Sequence, residues 1–184
     1  MTKTIIARWQ EWAGTGLQHL VLTQDAERIV ADAIAIVSDE GARFTAHFVV
    51  TCDARWRTRE VEVELFGEGR RIDLASDGDG NWRDGAGVKL PALAGAIDVD
   101  ITITPYTNTL PIRRLGLGPG QSAELKVCYI EPPALTVRIS PQRYTCLTPT
   151  RYRYESLDTG FMRDIEIDGD GLVTIYPDLF RRLF

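Results

Sequence analysis

The fold of this chain is decided by residues 96–115, AIDVDITITPYTNTLPIRRL, where two kinds of local pattern meet. In the first half, Ile97, Val99, Ile101 and Ile103 alternate with polar residues, which is the period-two pattern of a half-buried β-strand. In the second half, two prolines, an asparagine and an arginine pair end this alternation. The stretch therefore predicts an antiparallel strand followed by a short segment that is not β.

The segment after the alternation is the strongest helix candidate in the chain. Asn108 or Thr109 is a suitable N-cap, because its side-chain oxygen can accept a backbone N–H. Pro111 lies in the first turn, where a missing N–H is harmless, and Gly116 is a suitable terminator. We predict one short helix over about residues 109–116.

Alternation of apolar and polar residues recurs along the rest of the sequence. It appears in EVEVELF (60–66), LTVRIS (135–140) and RDIEID (163–168), and we also predict a strand at residues 26–36. Turn signals lie between the runs, at DEG (39–41), GEG (67–69), DGDG (77–80) and DGDG (168–171). The pattern predicts a single domain over residues 1–184, mainly β, with a large antiparallel sheet curved into a sandwich or barrel.

Composition excludes several classes of function. The net charge of −5 argues against a nucleic-acid partner and against adhesion to anionic lipid surfaces. No apolar run approaches the roughly 18 residues that a transmembrane helix needs, and no secretory signal is visible. Cys52, Cys128 and Cys146 are odd in number and widely spaced, which predicts reduced thiols and a cytoplasmic location.

Metal and cofactor motifs are not apparent. The run DGDGNWRDG (77–85) superficially resembles a calcium loop, but Trp82 and Val88 stand where an EF-hand needs Gly and Glu, so we interpret it as a hairpin turn. Neither His19 nor His47 has a second ligand at zinc spacing. Nucleophile-elbow and phosphate-loop motifs are also missing. We therefore predict no metal, no cofactor and no catalytic residue.

Three arginines in RWRTRE form the first candidate binding group. Arg55, Arg57 and Arg59 share one strand face that continues as Val61 and Val63. Such a face suits a concavity with a cationic mouth and an apolar floor, which would hold an amphiphile with an anionic or sugar head. The alternative, which we favour, is a β-bulge that changes the phase of the strand and leaves the arginines in water.

Two aspartates form the second candidate group. Asp98 and Asp100 share a strand face, and paired carboxylates of this kind perform glycoside hydrolysis when they flank a groove. A solvated strand face is the interpretation we favour, and hydrogen bonding to sugar hydroxyls is a third alternative. Tyr106, Asn108 and Arg113, on the segment that interrupts the alternation, complete the set of candidate ligand-binding residues.

Taken together, several motifs make the sequence recognisable. They include ARWRTREV, SDGDGNWRDG, LPALAGAIDVDITITPYTNTLPIRRL, VCYIEPP and VTIYPDLFRRL, which are spread over the length of the chain. The sequence resembles the putative glycolipid-binding family, a bacterial group. The resemblance implies a strongly curved antiparallel sheet that forms an open barrel around one helix, with a shape similar to that of periplasmic lipoprotein localisation factors. It implies no catalytic residues.

Three hypotheses for function follow. The first is a non-catalytic binding protein for a glycolipid or another amphiphilic small molecule. The second is an enzyme of carbohydrate or lipid metabolism that uses Asp98, Asp100 or a histidine. The third is an interaction module that assembles through a sheet edge or through the apolar C-terminal LFRRLF. We favour the first.

Overall fold

The structure is a computed structural model that describes residues 1–38 and 43–184, so the predicted turn at 39–41 lies outside the described residues. One sheet of fourteen strands makes up most of it. The strands are β1 (Lys3–Glu11), β2 (Leu17–Gln24), β3 (Arg28–Val37), β4 (Phe44–Asp53), β5 (Thr58–Leu65), β6 (Arg70–Ser76), β7 (Trp82–Asp84), β8 (Asp98–Ile101), β9 (Ser122–Glu131), β10 (Thr136–Thr148), β11 (Arg151–Ser156), β12 (Met162–Ile167), β13 (Val173–Tyr176) and β14 (Phe180–Arg182). An α-helix, α1 (Thr109–Leu115), and two 3₁₀ turns, Pro91–Leu93 and Tyr106–Asn108, complete the described elements.

The sheet has two meanders that meet where the chain begins and ends. Its order is β7-β6-β5-β4-β3-β2-β1-β14-β13-β12-β11-β10-β9-β8, so the terminal strands β1 and β14 pair in the middle. The sheet is not closed. Residues 85–97 cross from the β7 edge to the β8 edge, and the backbone N–H of Thr58 donates to Ile97 O at 3.3 Å. The predicted mainly β open barrel and the predicted strand at residues 26–36 are confirmed.

The strand prediction for residues 96–104 is wrong in length and direction. The strand covers only Asp98–Ile101 and pairs with β9 in parallel, whereas the other strand pairs in the sheet are antiparallel. The physical reason is connectivity. A parallel pair needs a long connection between its strands, which a tight hairpin cannot provide. Here the connection from Ile101 to β9 contains the 3₁₀ turn Tyr106–Asn108 and the helix α1.

The predicted helix is confirmed, and it lies inside the curve of the sheet. Leu110 is fully buried in the main core cluster, which also contains Phe48 and Val50, and Ile112 is buried in a second cluster with Tyr144. Gly116 ends the helix in the left-handed region, with φ of 57°. Because α1 contributes to both clusters, it fills the concavity and holds its two sides together.

Small residues on the concave face of β3 make room for this filling segment. Ala31 and Ala33 point into the main core, while Ile34 and Ile36 of the same strand lie on the outer face and are about half exposed. Thr104 Oγ1 donates to Gln18 Oε1 at 3.0 Å, which ties the segment to β2. The small alanine side chains leave space that larger side chains would fill, and the segment that contains Thr104 and α1 occupies this space.

At the other end of the sheet, β8 and the part of β9 that pairs with it, residues 127–130, are enclosed on both faces. Val99, Cys128 and Ile130 belong to the main core cluster on one face. On the other face Asp98 is also fully buried, and Asp100 is half-buried. The interpretation of the two aspartates as a solvated strand face is therefore wrong. It failed because the polar face of this strand meets the inside of the molecule and not water.

The sequence predicts reduced thiols and no transmembrane helix, and the structure describes both features. Cys52, Cys128 and Cys146 are all buried free thiols. Burial raises the pKa of the Cys128 thiol to about 12, and the pKa of Cys52 is also raised, chiefly by burial. In the part of the chain that the structure describes, no helix combines the length and the apolar character needed to cross a bilayer.

Candidate binding site

A cavity of about 220 Å³ lies beside the polar face of β8, and we call it the polar cavity. Strands β8 to β11, the turn after β11, and the segment around β14 supply its walls. Its lining residues are Asp100, Thr102, Thr104, Asn108, Tyr129, Arg138, Ser140, Tyr154, Ser156, Thr159, Phe161, Tyr176, Leu179 and Phe180. Hydroxyl groups and aromatic rings dominate this set, and Arg138 is its cation.

Asp100 is fixed in the wall by two neutral donors. Gln142 Nε2 donates to one carboxylate oxygen at 2.7 Å, and Thr107 Oγ1 donates to the other at 3.0 Å. Burial raises the pKa of Asp100, and the hydrogen bonds from Gln142 and Thr107 together with the charge of Arg138 oppose that rise. These two hydrogen bonds therefore fix the orientation of the carboxylate in the wall of the cavity.

The side chain of Asn108 does not cap the helix as the sequence predicts, but forms hydrogen bonds with other neighbours. Its backbone is already helical, because it ends a 3₁₀ turn, and its side chain makes no capping hydrogen bond. Instead its Nδ2 donates to Pro105 O at 3.2 Å, and its Oδ1 accepts from the Tyr144 hydroxyl at 2.8 Å. These two bonds fix the amide at the base of the polar cavity.

Arg138 is neutralised by protein carboxylates. Its Nη1 donates to Asp158 Oδ2 at 2.9 Å, and its Nε lies 3.6 Å from Glu131 Oε2. The guanidinium carbon is 4.3 Å from the centroid of the Tyr129 ring, which is the geometry of a cation–π contact. Stacking and pairing together hold this side chain against the wall.

The tyrosines of the region divide into two kinds. The hydroxyls of Tyr144 and Tyr152 donate to Asn108 Oδ1 and Leu117 O, whereas those of Tyr129, Tyr154 and Tyr176 make no hydrogen bond within the described part of the chain. Burial raises the pKa of Tyr129 to about 12, and it also raises the pKa of Tyr154 and Tyr176. These three phenols line the cavity as neutral groups that both donate and accept.

A second cavity of about 300 Å³ adjoins the first, and we call it the apolar cavity. It is lined by Glu11, Trp12, Ala13, Gly14, Val37, Phe44, Thr102, Ile103, Pro132, Asp178, Leu179 and Phe180. Thr102, Leu179 and Phe180 line both cavities. The carboxylate of Glu11 is occupied by the backbone N–H of Gly16 and Ser38. Apolar side chains supply most of the remaining wall.

The turn between β13 and β14 lies where the two cavities adjoin, because Leu179 and Phe180 line both. Asp178 has a positive φ of 66°, which reverses the chain and places Leu179 and Phe180 at the junction. The backbone N–H of Trp12 donates to Leu179 O at 2.9 Å, so the turn is tied to the end of β1. The Phe180 ring lies 6.5 Å from that of Tyr176. The apolar C-terminal residues named by the interaction-module hypothesis are thus partly used as cavity wall.

The structure has the bulge that was the favoured alternative for the three arginines. Thr51 pairs with Glu60 and Cys52 pairs with Thr58, so Arg59 is the extra residue and the phase of β5 changes there. The Nε of Arg57 donates to Asp53 Oδ2 at 2.8 Å, and Arg55 is exposed. These arginines line neither the polar nor the apolar cavity.

Of the other candidate ligand-binding residues, only Asp100 and Asn108 line the polar cavity. Asp98 is fully buried and accepts from Arg114 Nε at 2.9 Å and from Nη2 at 2.6 Å. Tyr106 is fully buried in the main core, and burial raises its pKa well above the usual range. Arg113 is exposed, with its guanidinium carbon 5.4 Å from the Trp56 ring centroid.

The enzyme hypothesis loses most of its candidate groups. His19 lies beside Arg8 and His47 pairs with Asp32, and neither histidine lines the polar or the apolar cavity. Asp98 is committed to its ion pair, so Asp100 is the candidate carboxylate that faces the cavity. Within residues 1–38 and 43–184, no cluster of three or more acidic, histidine or cysteine side chains could hold a metal ion.

Sequence reasoning missed most of the lining residues. The clearest signal was in RYRYES, where Tyr154 and Ser156 alternate onto one face of β11. In LTVRIS the apolar residues do pack on the main core, but Arg138 and Ser140, on the opposite face, line the polar cavity. The alternation was correctly detected, but its polar side was assigned to water because the sequence does not show that this face is enclosed.

The comparisons with known proteins agree with this architecture. The family model described as "Putative glycolipid-binding" matches residues 6–182. A solved structure, the crystal structure of a DUF1089 family protein from Pseudomonas aeruginosa, is 40% identical in sequence, covers 90% of this chain and 92% of its own, and has a TM-score of 0.79. Among curated proteins, none matches the chain. Because the family model spans nearly the whole chain, the protein belongs to the Putative glycolipid-binding family.

Proposed function

We propose that this protein is a non-catalytic binding protein for a glycolipid or a similar amphiphile, which it holds across the two adjoining cavities. The observation that carries the proposal is that Thr102, Leu179 and Phe180 line both cavities, so that a polar cavity and an apolar one adjoin. An amphiphile has the same division along its own length. The family description supports the same class of ligand.

Volume supports a ligand that occupies both cavities. The polar cavity, at about 220 Å³, is smaller than the roughly 300 to 1,000 Å³ of typical small-molecule sites, and the apolar cavity is at the lower limit. Together the two fall within that range. A ligand that enters both buries its chain against Phe44 and Ile103 and keeps its head beside Asp100 and Asn108. The gain from burying the chain is about 25 cal/mol for each Å² of apolar surface.

A cytoplasmic location remains part of the proposal, and the three buried free thiols support it. The shape comparison with periplasmic lipoprotein localisation factors does not carry their role to this chain. The ligand-binding role proposed here rests on the cavities.

The test is native mass spectrometry of the protein after incubation with a total bacterial lipid extract. We expect the parent protein to retain an amphiphile whose mass is unchanged from that in the extract, as a non-catalytic binder should. Thr102→Trp places a large ring at the junction of the cavities, so we expect it to lose the bound lipid. The matched control is Thr23→Trp on β2, at a half-buried threonine that lines neither cavity.

Two further outcomes are informative. A parent protein that retains nothing, or a Thr102→Trp variant that is folded and retains as much as the parent, would overturn the proposal. Replacement of Arg55, Arg57 and Arg59 by Gln should leave retention unchanged, because these arginines lie outside both cavities. Loss of lipid in that triple variant would move the site to the arginines.

A further inference from the structure

The residues that line the polar cavity indicate which charge the head group of a ligand can have. The inference rests on the proposed function. Its first element is the set of free hydroxyls. The hydroxyls of Tyr129, Tyr154 and Tyr176 form no hydrogen bond with any other described residue, and Thr102 adds an aliphatic hydroxyl. A phenol held in its neutral form donates one hydrogen bond and accepts others. Such groups match a partner that also donates and accepts, as a sugar hydroxyl does.

The second element is the balance of charge around the cavity. Asp100, Glu131 and Asp158 act on the Tyr129 phenol as negative charges, and Arg138 acts on it as a positive one. The guanidinium of Arg138 is already shared between Asp158 and Glu131. Three carboxylates and one cation therefore set the charge beside the Tyr129 phenol. An anionic head group would enter a region that is already negative, and like charges at close range are costly.

A second cation nearby does not change this balance. Arg163 lies over the Phe161 ring, with 4.7 Å between its guanidinium carbon and the ring centroid. Its Nη2 lies 3.2 Å from Asp178 Oδ2, so the carboxylate of Asp178 balances the positive charge of Arg163. A phosphate or carboxylate head group would have to displace an existing ion pair in order to gain an arginine.

The third element concerns the aromatic rings. Tyr154 lies 6.1 Å from Phe161 and 6.3 Å from Tyr176, measured between ring centroids, so the three rings form one continuous patch in the wall. Rings of this kind bind either the C–H face of a sugar or a quaternary ammonium group. Two of the aromatic residues in the wall, Tyr129 and Phe161, already stack with protein arginines. The hydroxyl-rich remainder of the wall favours the sugar.

We propose that the polar cavity selects an uncharged, polyhydroxylated head group, so that the protein binds neutral sugar-headed amphiphiles and discriminates against anionic ones with the same chain. The free phenols supply hydrogen bonds to the sugar hydroxyls. Asp100 and Asn108 supply further acceptors at the base of the cavity. The paired carboxylates at Arg138 supply the repulsion that excludes phosphate and carboxylate heads, which is how a binding site gains specificity against a competitor.

The test compares three probes that share a dodecyl chain. They are dodecyl β-glucoside, dodecanoate and dodecyltrimethylammonium, each titrated below its micelle concentration by isothermal calorimetry. We expect the glucoside to bind at least about tenfold more tightly than dodecanoate, which the carboxylates repel, and also more tightly than dodecyltrimethylammonium, which can form no hydrogen bond with the phenols. Equal binding of the three, or tighter binding of a charged probe, would overturn the selectivity and leave amphiphile binding intact.

Two variants locate the selectivity in the cavity. Asp158→Asn removes one counter-charge of Arg138, so dodecanoate affinity should rise by about threefold or more while the glucoside is little affected. The matched control is Asp164→Asn, since Asp164 pairs with Arg153 on β11 and β12 outside the cavity. A dodecanoate affinity that is unchanged in Asp158→Asn, or that rises equally in the control, would contradict the charge argument.

The last variant tests the phenols. Tyr154→Phe removes a hydroxyl that has no hydrogen-bond partner among residues 1–38 and 43–184, so glucoside affinity should fall by about threefold to tenfold with no loss of stability. Tyr152→Phe on the same strand removes a hydroxyl that donates to Leu117 O, so it should affect stability and not binding. If no dodecyl probe binds although the lipid extract does, the head-group inference fails and the proposed function stands. If neither the probes nor the extract bind, both fail.

Discussion

The ion pair between Asp98 and Arg114 is the interaction whose removal we expect to be most damaging. It joins β8 to α1, so it holds the cavity-bearing strand against the helix inside the sheet. The Asp98 side chain is fully buried and that of Arg114 is only 16% exposed. The carboxylate accepts three hydrogen bonds from this one guanidinium. Arg114→Met would retain much of the side-chain length and leave the carboxylate without its partner.

The expected cost of Arg114→Met is about 3 to 5 kcal/mol of unfolding free energy, because an uncompensated carboxylate remains in the interior. Unfolding in urea measures this cost directly. With a slope of about 2 kcal/mol per molar, the midpoint should fall by about 1.5 to 2.5 M. Domains of ordinary stability have only about 5 to 15 kcal/mol in total, so the variant should be marginal but measurable at low temperature.

The cost should also depend on pH in a defined direction. Burial raises the pKa of Asp98, and Arg114 is the group that opposes this rise. Without Arg114, the folded pKa lies further above the value of about 3.9 in the unfolded chain. The protonated form then favours folding, so the penalty is small below that unfolded value, grows as pH rises from the unfolded to the folded pKa, and is fully present above the folded pKa. The parent and the variant should therefore differ more at pH 7 than at pH 4.

Two controls decide whether this reasoning holds. The double variant Asp98→Leu with Arg114→Met should recover most of the loss, because burying two apolar side chains is close to neutral relative to a buried ion pair. Lys3→Met, which removes an exposed partner of Asp170, should cost less than about 1 kcal/mol. If Arg114→Met costs no more than Lys3→Met, the pair does not hold β8 in place and the account is refuted.

Two further predictions concern the core. Ile112→Asp should cost about 3 kcal/mol or more in urea unfolding, because it places an unpaired carboxylate in the cluster around Tyr144; a variant that unfolds like the parent would mean that the helix does not fill the concavity. Cys52 and Cys128 should fail to react with a thiol reagent at pH 8 in the native protein and should react after unfolding, since burial raises both thiol pKa values and blocks access; rapid labelling of the native protein would contradict their burial.

Much of the fold follows from local patterns in the sequence. Alternation of apolar and polar residues depends only on the pleat of a strand, so the strands around Val61, Val63 and Ile165 were predicted from sequence alone. The helix at Thr109–Leu115 was also predicted, because Pro111 and Gly116 act on their own backbone and need no distant partner. Such signals are contained in a few consecutive residues.

Tertiary structure decided which side of each strand faces the interior. The sequence by itself determined a mainly β architecture with one short helix. It did not determine that the polar side of β8, with Asp98 and Asp100, is enclosed, or that Ile34 of β3 faces outward while Ala33 faces the core. The binding site depends on the same long-range arrangement, because Thr102, Tyr154 and Phe180 are far apart in sequence and become neighbours only when the sheet curves around the helix. The physical reason is that a strand pattern specifies two faces, whereas what each face contacts depends on the path of the whole chain.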